Sequence, residues 1–364
     1  MSSSYRIAVL KGDGIGPDVV DQALHVLNAV SDEDGVTFEF SEYASGADCY
    51  LECGNPLPDE TVDACRHADA VLLGAMGRPD IRWPDGTEMR PQVDLRIKLD
   101  LYAGVRPIYL YAEHLTPLKG LGAGAIDLVI LRENVEGLFA SMDGGIELRG
   151  EVAVDSMVIT RSGTERISRY AFELARARKQ LGAVSLARQA TVTCVDKANI
   201  FRSMAFFRSV FDEVAAGYPD IGCAHEYVDA MAFHLVERPQ HYDVMVMENM
   251  YGDILSDLAA GLIGGMGMAP SGDIGDSAAV FQPSHGTAPD IAGKGVANPV
   301  GTILSAAMML RWLGQRHDDE AATSAGSRIE AATQSVLSSP ENATPDLGGQ
   351  MTTSEMGQAI AAAL

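Results

Sequence analysis

No Cys-x-x-Cys pair occurs in this 364-residue chain, and its five cysteines (Cys49, Cys53, Cys65, Cys194 and Cys223) are an odd number. Cys49 and Cys53 stand four apart, with no second pair at zinc spacing. The pattern excludes a disulfide framework and a zinc ribbon, and predicts free thiols in a reducing cytoplasm. No signal peptide is expected either, since "MSSSYRIAVL" carries no long apolar core and runs straight into a strand-like segment. The longest uncharged apolar run, "LAAGLIGGMGMAPSG" (258–272), is too short and too rich in Gly and Pro to span a bilayer. Positive charge is scarce: 27 Lys and Arg against 50 Asp and Glu leave −23 at pH 7. No global field attracts nucleic acid or an anionic membrane, so an anionic substrate needs a local arginine or lysine cluster. A soluble cytoplasmic protein is expected.

What is present is a globular composition, 47% hydrophobic and 21% charged, with length for two or three domains. Short apolar runs alternate with helical patterns. "YRIAVL" reads as a strand, followed by an amphipathic helix from Pro17 to about Val30. Further strands are read at "VTFEFSE", "DAVLLGAMG", "RPIYLY", "AIDLVILREN", "ATVTCVDKAN", "CAHEYVDA" and "YDVMVMEN". Such alternation predicts an α/β sandwich with a largely parallel sheet. Two regions break the rhythm: hairpin material at 142–163 and a Gly-rich crossing segment at 264–279.

"KGDGIGPDVV" (11–20) follows the first strand, with Pro17 opening a helix. Its Gly12-x-Gly14-x-x pattern lands on Pro17, so the dinucleotide fingerprint fails at its third glycine. Gly-Lys-Ser/Thr is absent too, and a nucleotide site and a tight glycine turn stay equally open. The cations say more. Arg96 and Arg106 flank "IKLDLYAGV", and Arg132 ends "DLVILR". Three arginines at element ends of an acidic chain point to a dicarboxylate site, because arginine binds carboxylates bidentately. Lys197 and Asp229 sit where strands run out. A lysine there transfers protons if its surroundings allow, although spacing alone favours a solvated one.

Asp253 and Asp257, in "NMYGDILSDL", are like charges at i, i+4 on a helix face and repel. The helix dipole accounts for an acid near the start of a helix, but Asp257 lies a turn too deep. With Asp229 they make an all-oxygen set suited to Mg²⁺ or Mn²⁺. In "FQPSHGTAPDIAGKGVANP" (281–299), His285 can stack on or hydrogen-bond a base, and Asp290 can accept both ribose hydroxyls. Taken singly, each is an ordinary loop residue.

Taken together and in this order, "GDGIGP", the three arginines, "VDKAN", "YVDAMA", "NMYGDILSDL" and "HGTAPDIAGKGVANP" resemble the metal-dependent β-decarboxylating dehydrogenases. This is the isocitrate/isopropylmalate dehydrogenase family. "VDKANI" and "DIAGKGVANP" look closest to 3-isopropylmalate dehydrogenases, and "GTERISRYAFELA" also resembles the tartrate/D-malate branch. The resemblance covers essentially the whole chain. It implies an isopropylmalate-dehydrogenase-like two-domain α/β/α fold with a mixed, largely parallel sheet, not a Rossmann fold. Residues 1–101 plus 264–364 would form the cofactor-binding domain. Residues 102–263 would carry substrate, metal and dimer contacts, with a β-arm at about 140–163. The active site would lie in the cleft between the domains of a homodimer.

Residue by residue, the resemblance makes Arg96, Arg106 and Arg132 the clamp on the substrate carboxylates. Lys197 and Asp229 would come from the second subunit, Lys197 to help deprotonate the 2-hydroxyl and Asp229 as a metal ligand. Asp253 would complete the hold on Mg²⁺ or Mn²⁺, with Asp257 alongside. Ile15, His285, Gly286, Thr287, Ala288, Pro289, Asp290 and Asn298 would bind the cofactor. Asp290-Ile291 stands where NADP-using relatives carry Lys-Tyr, and an acid there accepts a ribose diol and repels a 2′-phosphate, so NAD is expected. The implied reaction is hydride transfer from a 3-substituted (2R)-malate, loss of the β-carboxylate as CO₂, and protonation of the resulting enolate.

Four positions depart from the family pattern. "RENVEGLFAS" has Phe139 where members usually carry the tyrosine associated with that final protonation. Tyr251, Tyr102 or a water must replace it, or decarboxylation is weak. Oxidation without efficient decarboxylation, and a non-catalytic regulatory subunit, are therefore the alternatives. Gln92 and Val93 stand where isopropylmalate enzymes usually present paired leucines, and a smaller or more polar 3-substituent is as consistent with them. Gln282 replaces a usual glutamate.

Overall fold

The computed structural model describes residues 3–142, 144–182 and 190–364. In chain order the elements are β1 (Ser3–Gly12), α1 (Gly16–Asp34), β2 (Val36–Glu42), α2 (Ala47–Cys53), α3 (Asp59–His67), β3 (Ala70–Ala75), α4 (Pro91–Lys98), β4 (Ala103–Tyr109) and β5 (Asp127–Glu133). Next come β6 (Ile146–Leu148), β7 (Val152–Val154), α5 (Arg161–Gln180), β8 (Thr191–Asp196), α6 (Arg202–Ala215), β9 (Gly222–Tyr227), α7 (Val228–Glu237), β10 (Val244–Met247) and α8 (Asn249–Ala260). The chain closes with β11 (Pro270–Ile274), β12 (Ala279–Pro283), α9 (Val300–His317), α10 (Glu320–Leu337) and α11 (Thr353–Ala362).

These elements form two compact units. The first comprises Met1–Leu101, Tyr111–Pro117 and Ile263–Leu364. Its strands run in the order β2-β1-β3-β12-β11, all parallel except β11 against β12. The run "AVLLGA" of β3 is buried on both faces, as parallel strands covered by helices must be. Leu10, Val71, Leu73, Leu95 and Leu101 meet there in one apolar cluster.

The second unit comprises Tyr102–Leu110 and Leu118–Leu262, with strand order β4-β5-β10-β8-β9. Here β4 is antiparallel to β5 and the rest are parallel. Phe172 of α5 stacks on Phe211 of α6 at 5.3 Å and on Tyr218 at 4.9 Å. β6 and β7 form a separate antiparallel pair whose Ile146, Leu148, Val152 and Val154 are exposed. The fold is thus α/β with a mixed, largely parallel sheet.

Two local expectations need correction. The Gly-rich segment at 264–279 is not merely a crossing: it contains β11, buried throughout and paired with β12. Its glycines and Pro270 mask the strand pattern. Hairpin material read at 142–163 narrows to β6 and β7, because Thr160 caps α5 by accepting from the Gly163 amide. Residue 143 of the expected arm lies outside the described residues, as do 1–2 and 183–189 of the expected domains. No helix among the described residues is long and apolar enough to cross a membrane.

Candidate active site

In the second unit, β4 and β5 place two arginines on one face. Arg106 pairs directly with Ile130, and Gly104 with Arg132. Directly opposed residues share a face and strand neighbours alternate, so Arg106 and Arg132 are diagonal neighbours on the same side. Both are buried. Arg106 lies inside β4, since the strand starts three residues before "RPIYLY". α8 covers this face at close range: a Cβ on Gly252 would come within 2.6 Å of the Arg132 Cβ.

α8 then offers its aspartates to the arginines. Arg132 donates from Nε and Nη2 to Asn249 Oδ1, at 2.9 and 2.7 Å. Its Nη1 donates to Asp253 Oδ1. Burial raises the Asp257 carboxyl above its usual range, Asp253 raises it further, and Arg106 and Arg132 act the other way. The two arginines are therefore the cations that make the i, i+4 acidic pair tolerable.

Glu248 organises the start of α8. It is fully buried, its Oε2 accepts the Met250 and Tyr251 amides, and its Oε1 accepts the Leu138 amide at 2.8 Å. Gly137 leaves room for that carboxylate, at φ 78°, since a Cβ there would lie 2.1 Å from Oε1. Glu248 thereby fixes the short 3₁₀ turn Leu138–Ser141 that carries Phe139. The Arg132 guanidinium sits 5.1 Å from the Phe139 ring centroid. Beside it, buried Glu133 accepts the Val135 and Glu136 amides with Oε2, while its buried Oε1 has no hydrogen-bond partner among the described residues. Desolvation pushes its carboxyl up to about 7.

Lys197 leaves the end of β8, and its Nζ donates to Asp229 Oδ1 at 2.5 Å. Asp229 does not end a strand, as the sequence reading had it. It is the second residue of α7, because "HEYVDAMAFHLV" switches to helix at Val228. The Lys197 hydrogen bond lowers the Asp229 carboxyl below its usual range. Asp196 anchors this turn: Arg208 forks onto it at 2.7 and 2.8 Å, and the Ala198 amide donates to it at 2.8 Å. Tyr251 is buried, which raises its phenol, and Glu248, Asp196 and Asp229 raise it further. Tyr102 instead lies under the Arg166 guanidinium, 4.5 Å from its ring centroid. Among the described residues of this chain, Asp229, Asp253 and Asp257 do not converge to ligand distance; the acidic group that does is Asp212 with Cys223 and His225.

In the first unit the "GDGIGP" loop and the 285–298 loop are joined. Gly12 and Gly14 have φ of 70° and 59°, and a Cβ on Gly14 would lie 2.1 Å from the Thr287 carbonyl oxygen. The Ile15 amide donates to that carbonyl at 2.8 Å, and the Ile15 side chain packs with Ala297, Ala288, Ile291 and Ala292. Buried Asp13 accepts the Ala47, Asp48 and Gly77 amides. Thr287 donates to the Gly77 carbonyl at 2.6 Å. His285 Nδ1 lies 2.9 Å from the Gly286 carbonyl, its buried Nε2 has no hydrogen-bond partner among the described residues, and desolvation lowers the ring below its usual range, which favours the neutral form. Gly286, Pro289 and Asp290 are exposed. Asn298 is engaged within the protein: its Nδ2 donates to Asp346 and its Oδ1 accepts the Val300 amide.

The third arginine, Arg96, is buried on α4 and donates to Asp273 Oδ2 at 2.8 Å. Gln282 Nε2 donates to the same oxygen at 2.6 Å. This explains Gln282: a glutamate there would set a second carboxylate against buried Asp273. Gln92 and Val93, a turn earlier on α4, are partly exposed, and the buried Gln92 Oε1 has no hydrogen-bond partner among the described residues. Sequence reasoning missed Glu248, Glu133, Asn249, Asp13 and Asp273. Asn249, Asp13 and Asp273 act through partners as far as 177 positions away, as in Arg96–Asp273, which leave no local signal, whereas Glu133 and the capping oxygen of Glu248 accept amides two or three residues on.

Fold and site together define an α/β protein with two buried arginines facing an acidic helix, and comparison with known proteins carries this to a family. The description "Isocitrate/isopropylmalate dehydrogenase" matches residues 6–360. The "3-isopropylmalate/3-methylmalate dehydrogenase" of Methanocaldococcus jannaschii is 41% identical over 98% of both chains. The "3-isopropylmalate dehydrogenase" of Moorella thermoacetica is 43% identical, also over 98% of both. Among solved structures, isocitrate dehydrogenase from Methylococcus capsulatus superposes with a TM-score of 0.86 at 38% identity, over 99% of both chains. A β-decarboxylating dehydrogenase from Thermococcus kodakarensis gives 0.77 at 40% identity, over 99% of this chain and 96% of that one. The chain belongs to the isocitrate/isopropylmalate dehydrogenase family.

Proposed function

We propose that the protein is an NAD- and Mg²⁺- or Mn²⁺-dependent dehydrogenase that oxidatively decarboxylates a 3-substituted (2R)-malate. The observation that carries this reading is the shared face of Arg106 and Arg132 under the Asp253–Asp257 pair of α8. Two buried guanidiniums are the groups for substrate carboxylates in a chain of net charge −23. Arg96 is proposed as a third carboxylate contact. Lys197, held by Asp229, is proposed to move the proton of the 2-hydroxyl.

The donors fit the groups this reading needs. Asp253 and Asp257 offer carboxylate oxygens, the chemistry hard divalent cations prefer, with Asp229 proposed as the ligand given by a second subunit. A cation there supplies Lewis-acid polarisation of the substrate oxygens. Neutral His285, with an unsatisfied buried Nε2, fits recognition of an adenine, and exposed Asp290 fits a ribose diol. Ile15, Gly286, Thr287, Ala288 and Pro289 would line that contact. Asn298 would hold the loop rather than the ligand. A homodimer is supported by exposed Phe233 and Val236 on α7 and Ile254 on α8, and five free cysteines support a cytoplasmic location.

Phe139 has no proton to give, and Tyr251 is the phenol proposed to take its place. Its hydroxyl stays protonated at neutral pH beside Asp196 and Asp229. Gln92, with its unpartnered acceptor, favours a 3-substituent that is small or carries a hydroxyl over a branched alkyl group. The test is NAD reduction with Mn²⁺ over isopropylmalate, methylmalate, D-malate, tartrate, isocitrate and homoisocitrate, with CO₂ counted against NADH. Turnover with one substrate at one CO₂ per NADH is expected, and Tyr251→Phe should lower CO₂ release more than hydride transfer. Tight dicarboxylate binding without turnover by any of them refutes the reading in favour of a regulatory subunit.

A further inference from the structure

Away from the β5–α8 face, the second unit carries a cluster of different chemistry. β9 is the outer strand of its sheet, and its residues alternate in exposure. Cys223, His225 and Tyr227 therefore share one face, the face on which α6 lies. Three contacts set the register: Arg208 sits 5.2 Å from the Tyr227 ring centroid, Phe211 meets the His225 ring edge-on at 5.8 Å, and His225 Nε2 lies 2.6 Å from Asp212 Oδ1. The ligand atoms of Asp212, Cys223 and His225 all fall within 4.8 Å of one another, and all three residues are exposed.

We propose that Asp212, Cys223 and His225 form a three-ligand site for a borderline-soft divalent cation of the zinc class, with the fourth position open to solvent. The donor set decides the class of ion. One thiolate sulfur, one imidazole nitrogen and one carboxylate oxygen suit tetrahedral Zn²⁺, whereas Mg²⁺ and Mn²⁺ prefer oxygens alone. On binding, the thiol gives its proton to solvent, the thiolate takes the cation, and the Asp212 charge becomes favourable. A bound ion ties α6 to β9, whose chain runs directly into Asp229 on α7. The site is independent of the dehydrogenase reading, because none of its ligands belongs to the β5–α8 face.

The test uses the full-length protein, stripped of metal and then held in excess Mg²⁺ to fill all-oxygen sites. Titration with Zn²⁺ against a chromophoric chelator should show a site at about one ion per chain. Co²⁺ in its place should give a sulfur-to-cobalt charge-transfer band. Cys223→Ser and His225→Gln should each weaken Zn²⁺ binding by more than ~100-fold, beyond the 10–100-fold typical of losing an outer-shell partner. Cys53→Ser should leave it unchanged. X-ray absorption on the zinc-loaded wild type should show one sulfur at ~2.3 Å, a readout that needs no variant. A cobalt spectrum without a thiolate band, or unaltered zinc affinity in Cys223→Ser, would leave only a hydrogen-bonded His–Asp pair and overturn the proposal.

Discussion

Glu133 gives a prediction that follows from burial alone. It is 2% exposed, one oxygen accepts two backbone amides, and the other has no hydrogen-bond partner among the described residues. Its carboxyl is raised from 4.5 to about 7 in the folded chain, chiefly by desolvation. At ~1.36 kcal/mol per pH unit, this corresponds to about 3 kcal/mol. For an acid whose folded value is raised, the native state binds the extra proton between the two values. The stabilisation is complete below 4.5 and is lost as pH climbs through about 7. Between pH 5 and pH 8, wild type should lose about 2.5 kcal/mol relative to Glu133→Gln, whose side chain keeps an acceptor but carries no charge. Urea unfolding of both proteins at several pH values, with chelator present, measures this. Taking the difference cancels the titration of distant groups. A difference flat within about 0.5 kcal/mol across that range would refute the reasoning, since it would mean that Glu133 ionises in the native state at no cost.

Gly252→Ala should cost about 1–3 kcal/mol by overpacking, because its Cβ would meet Arg132 Cβ at 2.6 Å. Calorimetry reads the loss, and kcat/KM should fall as Arg132 is displaced from Asn249. Gln282→Glu should destabilise the first unit by about 1–3 kcal/mol at neutral pH, by removing the donor to buried Asp273. The loss should shrink on acidification, as a protonated glutamate donates again, so Tm measured at pH 5 and pH 8 checks both halves. Asp13→Asn should remove at least one of three backbone hydrogen bonds, worth about 1.5–3 kcal/mol, and loosen the loop that holds Ile15. Fluorescence titration with NADH should then show weaker binding.

Much of the architecture was readable from residue order, because it rests on local physics. Apolar runs such as "AVLLGA" and "DLVILRE" announce strands wherever they are buried, and Pro17 marks a helix start by backbone geometry, whereas the Thr160 cap of α5 went unread inside the expected hairpin. The strand β11 escaped because glycine and proline erase the pattern that partners across a sheet restore. The same division holds for the site. Arginine at 106 and 132 and aspartate at 253 and 257 were visible as residue types, and the repulsion of the aspartates was a sound question to ask of them. Only the antiparallel register of β4 on β5 put both guanidiniums on one face, and only Gly252 let α8 come close enough to use them. Likewise Gln282 was a bare substitution until Asp273 stood 2.6 Å away. Sequence determines which groups a chain owns and the local shapes it prefers. Which charges lie within a few ångströms, and in how little water, is decided by contacts between residues distant along the chain.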